Sequence, residues 1–161
     1  MEEQSRKDTR RNIQEIDGRE KSMEQPNKIK HLELIQGTVT RMAQNSFWVK
    51  GVAVTLITAI FVLCQNIDKW YIAFLMLLIP LTSLLLLDVF FLQIERKYRA
   101  LYDIVRQKDE DAIDFDLKLT KECKSKSNSF GNCMLSKSIL LFYVPLLLLS
   151  VAAMIALYIG V

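Results

Sequence analysis

Three stretches of this chain carry almost no charge, and each is long enough to cross a membrane as a helix. The first runs from Phe47 to Cys64 and holds a single charge, Lys50. The second, Trp70 to Leu87, reads WYIAFLMLLIPLTSLLLL; the third, Ile139 to Val161, reads ILLFYVPLLLLSVAAMIALYIGV, and neither contains a charged residue. A hydrocarbon core about 30 Å thick needs roughly 17–25 helical residues. Backbone polar groups inside it must bond to one another, which leaves helices or a closed barrel. Barrel strands alternate apolar and polar residues, and these runs do not. The expected class is an all-α membrane protein with three transmembrane helices.

Charge is concentrated in what remains, residues 1–46 and 93–138. The first 46 residues lack the apolar core of a secretory signal, so the first span is expected to act as the insertion signal. Lys and Arg number nine before span one, one in the QNIDK connection between spans one and two, and ten over residues 92–138. Such residues are retained on the cytoplasmic side. The expected placement is therefore a multi-pass protein of the bacterial inner membrane, N-terminus cytoplasmic and C-terminus outside. The net charge is only +3 because acids are nearly as common in the polar parts. That balance argues against a strongly basic nucleic-acid surface.

The polar parts divide further. Residues 1–27 hold only scattered apolar residues (Ile13, Ile16, Met23) and read as a flexible polar tail. From there Leu32, Ile35, Val39, Met42, Ser46 and Val49 recur at three- and four-residue steps, one face of a helix. No proline interrupts residues 28–64, so a cytoplasmic helix is expected to continue into span one, about 55 Å in all. Span two mirrors it: Ile94, Tyr98, Leu101 and Val105 mark one face, and a helix over 69–108 is expected, bent at Pro80. The short connection makes the two antiparallel neighbours, giving a long hairpin half in lipid and half in cytoplasm. Residues 109–138 form a cytoplasmic loop. Within it Ile113, Phe115, Leu117 and Leu119 alternate with polar residues, the pattern of a short extended segment. It either pairs with a copy from another subunit or lies along the hairpin. Residues 139–161 form the third transmembrane helix.

No catalytic pattern is present: there is no G-x-S-x-G, phosphate-binding loop or H-E-x-x-H. The chain is not expected to be an enzyme, and no cofactor is implied. The single histidine, His31, reads as a helix-surface residue without the partners that catalysis needs. Cys123 and Cys133 are spaced C-x9-C, which is not a zinc pattern, and the acids at 109, 110, 111, 114 and 116 lack the glycine and closing glutamate of a calcium loop. No metal site is expected. Lys118, Lys121, Lys124 and Lys126 lie within nine residues beside Ser125, Ser127 and Ser129. They fit either an anchor on anionic membrane lipid or a phosphate-binding patch for a nucleotide or oligonucleotide.

Small residues recur every four positions in two spans: Gly51, Thr55 and Ala59, then Ala152, Ala156 and Gly160. This spacing lets helix backbones approach closely, either between subunits or within one chain. Three helices enclose no water-filled path by themselves, so any channel needs a homo-oligomer. Lys50 is the other feature of span one. It precedes Gln65 by 15 residues, roughly 22 Å of helix, while Asp88 follows Lys69 by 19, roughly 28 Å. Both then lie near the cytoplasmic edge of the bilayer, Lys50 about one turn deeper. A lysine stem spans that gap by snorkelling, so a Lys50–Asp88 pair at the membrane interface is expected; the alternative is a ring of lysines at a cytoplasmic pore mouth, if the chain oligomerises with span one facing the axis.

Two segments, HLELIQGTVTRMAQNSFWVKGVAVTL (31–56) and SKSILLFYVPLLLL (136–149), with IDFDLKL (113–119) between them, resemble small bacterial three-span proteins of phage-defence loci. In function this group resembles the transmembrane effectors of nucleotidyltransferase-linked, Hailong-type anti-phage systems. The resemblance implies an oligomeric inner-membrane effector or channel whose cytoplasmic region senses a nucleotide signal made by a partner nucleotidyltransferase, and which disrupts the membrane to halt growth. The competing expectation is a non-conducting scaffold that recruits a cytoplasmic partner through its hairpin.

Overall fold

The computed structural model describes residues 26–64 and 69–159, with Gln14 alone before them. The rest of the tail over residues 1–25, the first four residues of the QNIDK connection (65–68) and the last two residues lie outside the described set. All regular structure in the described residues is helical: α1 (Pro26–Cys64), α2 (Trp70–Gln107), α3 (Phe130–Met134) and α4 (Lys137–Ile159), with single 3-10 turns at Glu110–Ala112, Lys121–Cys123 and Lys126–Asn128. Three of the helices, α1, α2 and α4, are long and apolar enough to cross a membrane.

Helix α1 opens on Pro26, a position where the missing N–H costs nothing because no intrahelical acceptor precedes it. It then runs 39 residues without another proline, about 58 Å. Helix α2 continues through Pro80, and α4 likewise through Pro145. The span hydroxyls bond back to their own helices. Thr55 donates to Gly51 O, Thr58 to Val54 O, Thr82 to Leu78 O, Ser83 to Ile79 O and Ser150 to Leu146 O, all at 2.7–3.1 Å. Such a hydroxyl satisfies itself locally and asks for no water.

Contacts between α1 and α2 run in opposite senses. Lys28 reaches Lys108, Ser46 reaches Asp88, and Ile57 and Ile60 share a cluster with Ala73 and Leu77. Two apolar clusters result. One lies among the uncharged parts of all three long helices: Ile57, Ile60 and Cys64 of α1, Ala73, Leu77, Leu81 and Val89 of α2, and Ile139 and Tyr143 of α4. The other joins Ile35 and Val39 of α1 to Leu101 and Val105 of α2, closed by Cys123. The outer faces of the uncharged segments stay open, Leu141 at 80% and Leu149 at 70% exposure. Water would penalise such surfaces, whereas lipid tails match them.

Residues 113–120 form no strand. They lie along the α1–α2 pair, with Ile113, Leu117 and Leu119 packed on the second cluster. The alternation expected for this segment fails at Phe115. Its φ of 53° is in the left-handed region, which bends the chain and leaves the ring 40% exposed rather than buried with its neighbours.

Candidate functional site

Below the apolar cluster, one polar group of residues joins all three long helices. Asp88 of α2 has no exposed surface, although it is an acid between Leu87 and Val89. Lys50 of α1 meets it, Nζ to Oδ2 at 2.6 Å. Ser46, one helical turn before Lys50, accepts a hydrogen bond from the Lys50 ammonium at 2.9 Å and donates its own to Asp88 Oδ1. The hydroxyl therefore relays between the two charges. A serine on the apolar stripe of α1 has this placement because residues four apart share a helical face.

Helix α4 covers the pair. The Phe142 ring centroid lies 5.9 Å from Lys50 Nζ, within the range where a cation is attracted to a ring face. Tyr143, buried, donates from its hydroxyl to Leu84 O at 3.4 Å, one turn before Asp88. Phe142 and Tyr143 themselves meet edge to face at 5.0 Å. A charged pair at this depth is costly unless hydrogen-bonded on its remaining valences, and Ser46 supplies one such bond to each partner. The arrangement binds α1 to α2 and gives α4 a seat.

The four lysines of the candidate phosphate patch occupy a different place. Lys118, Lys121, Lys124 and Lys126 are all exposed, on either side of Cys123, which is fully buried. Their segment is tied to α2 by two side chains: Gln93 donates to Asn128 O at 3.1 Å and Arg96 to Ser127 O at 2.9 Å. Asn128 in turn donates to Cys123 O at 3.0 Å, and Asn132 to Lys126 O. Lys121, Lys124 and Lys126 thus ride on a loop held to α2, whereas Lys118 lies between Leu117 and Leu119, which pack on the second apolar cluster.

The two small-residue stripes both face outward. Gly51, Thr55 and Ala59 are exposed and line an open apolar groove with Trp48, Val52 and Leu56. A Cβ added at Gly51 would meet nothing within 4 Å. Ala152 and Ala156 are exposed too, while Gly160 lies outside the described residues. The inward face of α1 is instead Ala53, Ile57 and Ile60.

No protein-family model, curated protein or solved structure matches the chain.

His31 corrects the sequence reading. It is fully buried, not a surface residue, because residues 113–119 fold over it. Its Nε2–H donates to Asp116 O at 3.3 Å, and the Phe115 ring lies 5.5 Å away. Its Nδ1 is buried without a partner. Sequence pattern could not show this cover, since the covering residues follow 82 or more positions later. Nor does sequence pattern single out Phe142 and Tyr143. The available signal is their position, between one and two turns inside α4 from Lys137, level with Lys50 of α1.

Proposed function

We propose that this protein is an oligomeric inner-membrane effector that acts by permeabilising the membrane under control of its cytoplasmic region. The observation that carries the reading is the outward aspect of both small-residue stripes, Gly51/Thr55/Ala59 and Ala152/Ala156, in a chain whose own helices leave them unpacked. Close backbone approach is the use such stripes have in lipid. A second copy is the partner that presents the same surfaces. Thr55, Thr58, Thr82, Ser83 and Ser150 each donate to their own helix, and three helices enclose no water-filled path alone, so in this reading a conducting path requires several copies.

In this reading α1 and α2 form a hairpin that leaves the membrane on the cytoplasmic side at the Lys50–Asp88 pair. The N-terminus is cytoplasmic and the C-terminus outside, as the Lys and Arg distribution favours. The exposed lysines 118, 121, 124 and 126 provide the contact for a phosphate-bearing signal, a nucleotide or short oligonucleotide. The resemblance to effectors of phage-defence loci supports both the signal class and the outcome, arrested growth.

The scaffold reading has its own support, an open cleft between the cytoplasmic parts of α1 and α2 lined by Gln36, Val39, Arg99, Tyr102 and Asp103, which a partner side chain could enter. Reconstitution separates the two. Purified protein in dye-loaded vesicles, challenged with nucleotides and short oligonucleotides, is expected to release dye with at least one of them. A protein that forms no oligomer in detergent and leaks under no ligand is a scaffold.

A further inference from the structure

Residues 108–119 cross from the end of α2 to the start of α1 and fasten there at three points. Glu110 Oε1 accepts the backbone N–H groups of Asn27 and Lys28 at 3.0 and 3.1 Å. These belong to the first turn of α1, where N–H groups have no intrahelical partner and the helix dipole favours a carboxylate. The Lys28 ammonium donates to Lys108 O at 2.7 Å. One turn further, His31 Nε2–H donates to Asp116 O. The fastened segment is short of regular structure and holds Phe115 at a positive φ, a conformation that costs a phenylalanine energy and persists only under restraint.

The next segment is secured differently. Residues 121–133 are hydrogen-bonded to α2 through Gln93 and Arg96, while Cys123 packs in the cluster shared by α1 and α2. The boundary between the two modes is Thr120, whose side chain touches Cys123 Sγ at 3.7 Å. Helix α1 is continuous from the fastening points to Cys64, so a displacement of its cytoplasmic end is carried along one rod to Ser46 and Lys50.

We propose that residues 108–119 are a latch that holds the cytoplasmic end of α1 against α2 in a resting position, opening about Thr120 so that Lys118 moves with the latch while Lys121, Lys124 and Lys126 stay with α2. The restraint on membrane activity rests on the effector reading above; the opening itself does not. When the latch leaves, Ile113, Leu117 and Leu119 leave the cluster that buries Cys123. Cys123 is cytoplasmic in the proposed topology and buried at rest, so its thiol reports the opening.

The experiment uses full-length protein in inverted membrane vesicles, with Cys64→Ser and Cys133→Ser leaving Cys123 as the sole thiol, and a membrane-impermeant maleimide. Glu110→Ala removes the borrowed helix cap. It is expected to raise the Cys123 labelling rate roughly fivefold, the factor that corresponds to a lost N-cap. A companion chain retaining only Cys133 is expected to label at an unchanged rate. Unchanged Cys123 labelling overturns the latch, and so does equal acceleration of Cys133, which would mean general loosening. Membrane potential is followed in cells carrying the same Glu110→Ala change. Depolarisation supports restraint by the latch. Faster Cys123 labelling at unchanged potential overturns the restraint while leaving the ligand-driven leak to be judged by the vesicle assay.

Discussion

Lys50 and Asp88 stand 2.6 Å apart on neighbouring helices, the acid with no exposed surface and the lysine side chain at 17%. Removing one partner leaves the other as an unpaired charge in low dielectric, a change that costs about 3–5 kcal/mol. Replacing both with apolar residues of similar volume removes the desolvation penalty along with the attraction. Lys50→Met and Asp88→Leu are therefore each expected to destabilise the protein by that amount in detergent denaturation. The double variant is expected to recover most of the loss. Additive losses would mean that the pair is not coupled.

The two faces of α1 are expected to respond oppositely to larger side chains. Gly51→Leu points into open space, so protomer stability is expected to stay within about 0.5 kcal/mol, while oligomers in detergent dissociate because the backbones no longer approach. Ala53→Leu, at a fully buried position, is expected to cost about 1–3 kcal/mol through overpacking. Light scattering in detergent and thermal denaturation read the two effects separately.

Ligand contact through the basic loop has an electrostatic signature. Changing Lys118, Lys121, Lys124 and Lys126 together to Gln is expected to weaken oligonucleotide binding and flatten its salt dependence, since each released counterion contributes to the slope. Unchanged, salt-insensitive binding in a filter or fluorescence assay would place the phosphate contact elsewhere.

The bend at Phe115 carries a pH dependence through Asp114. Its carboxylate accepts the Asp116 backbone N–H at 3.2 Å, and this bond, followed by the Lys108 charge at 3.6 Å, holds its pKa below the usual carboxylate value. A folded-state value lower than the unfolded one contributes stability above the unfolded value, and that contribution is lost as pH falls through the folded one. Hydrogen exchange over residues 113–119 is therefore expected to lose protection on acidification below about pH 4. Asp114→Asn is expected to reduce that dependence.

How far the sequence reveals this arrangement differs from element to element. Lys50 and Asp88 are placed by counting helical rise from the turn between spans, because uninterrupted helices convert residue number into depth. The three spans follow from composition alone, since lipid leaves the backbone few alternatives. The latch does not follow from either. Glu110 caps the first turn of α1 through Asn27, 83 residues earlier, and no periodicity encodes a contact between an irregular segment and a distant helix end. Phe115 fits a period-two pattern in sequence, yet its positive φ breaks that period. His31 then becomes buried by residues that its own helix pattern cannot foresee. Local propensity specifies elements, whereas covering loops are chosen by the surfaces those elements leave open.

The central claim is that copies of this chain assemble through their outward small-residue faces and permeabilise the membrane on a signal. Membrane potential and viability in cells expressing the chain, with and without its genomic neighbours and under phage infection, test it most directly. The account predicts depolarisation and growth arrest under at least one of these conditions, both abolished by Gly51→Leu. A chain that leaves the potential unchanged under every condition, or a Gly51→Leu variant that depolarises as fully as the parent, would contradict it.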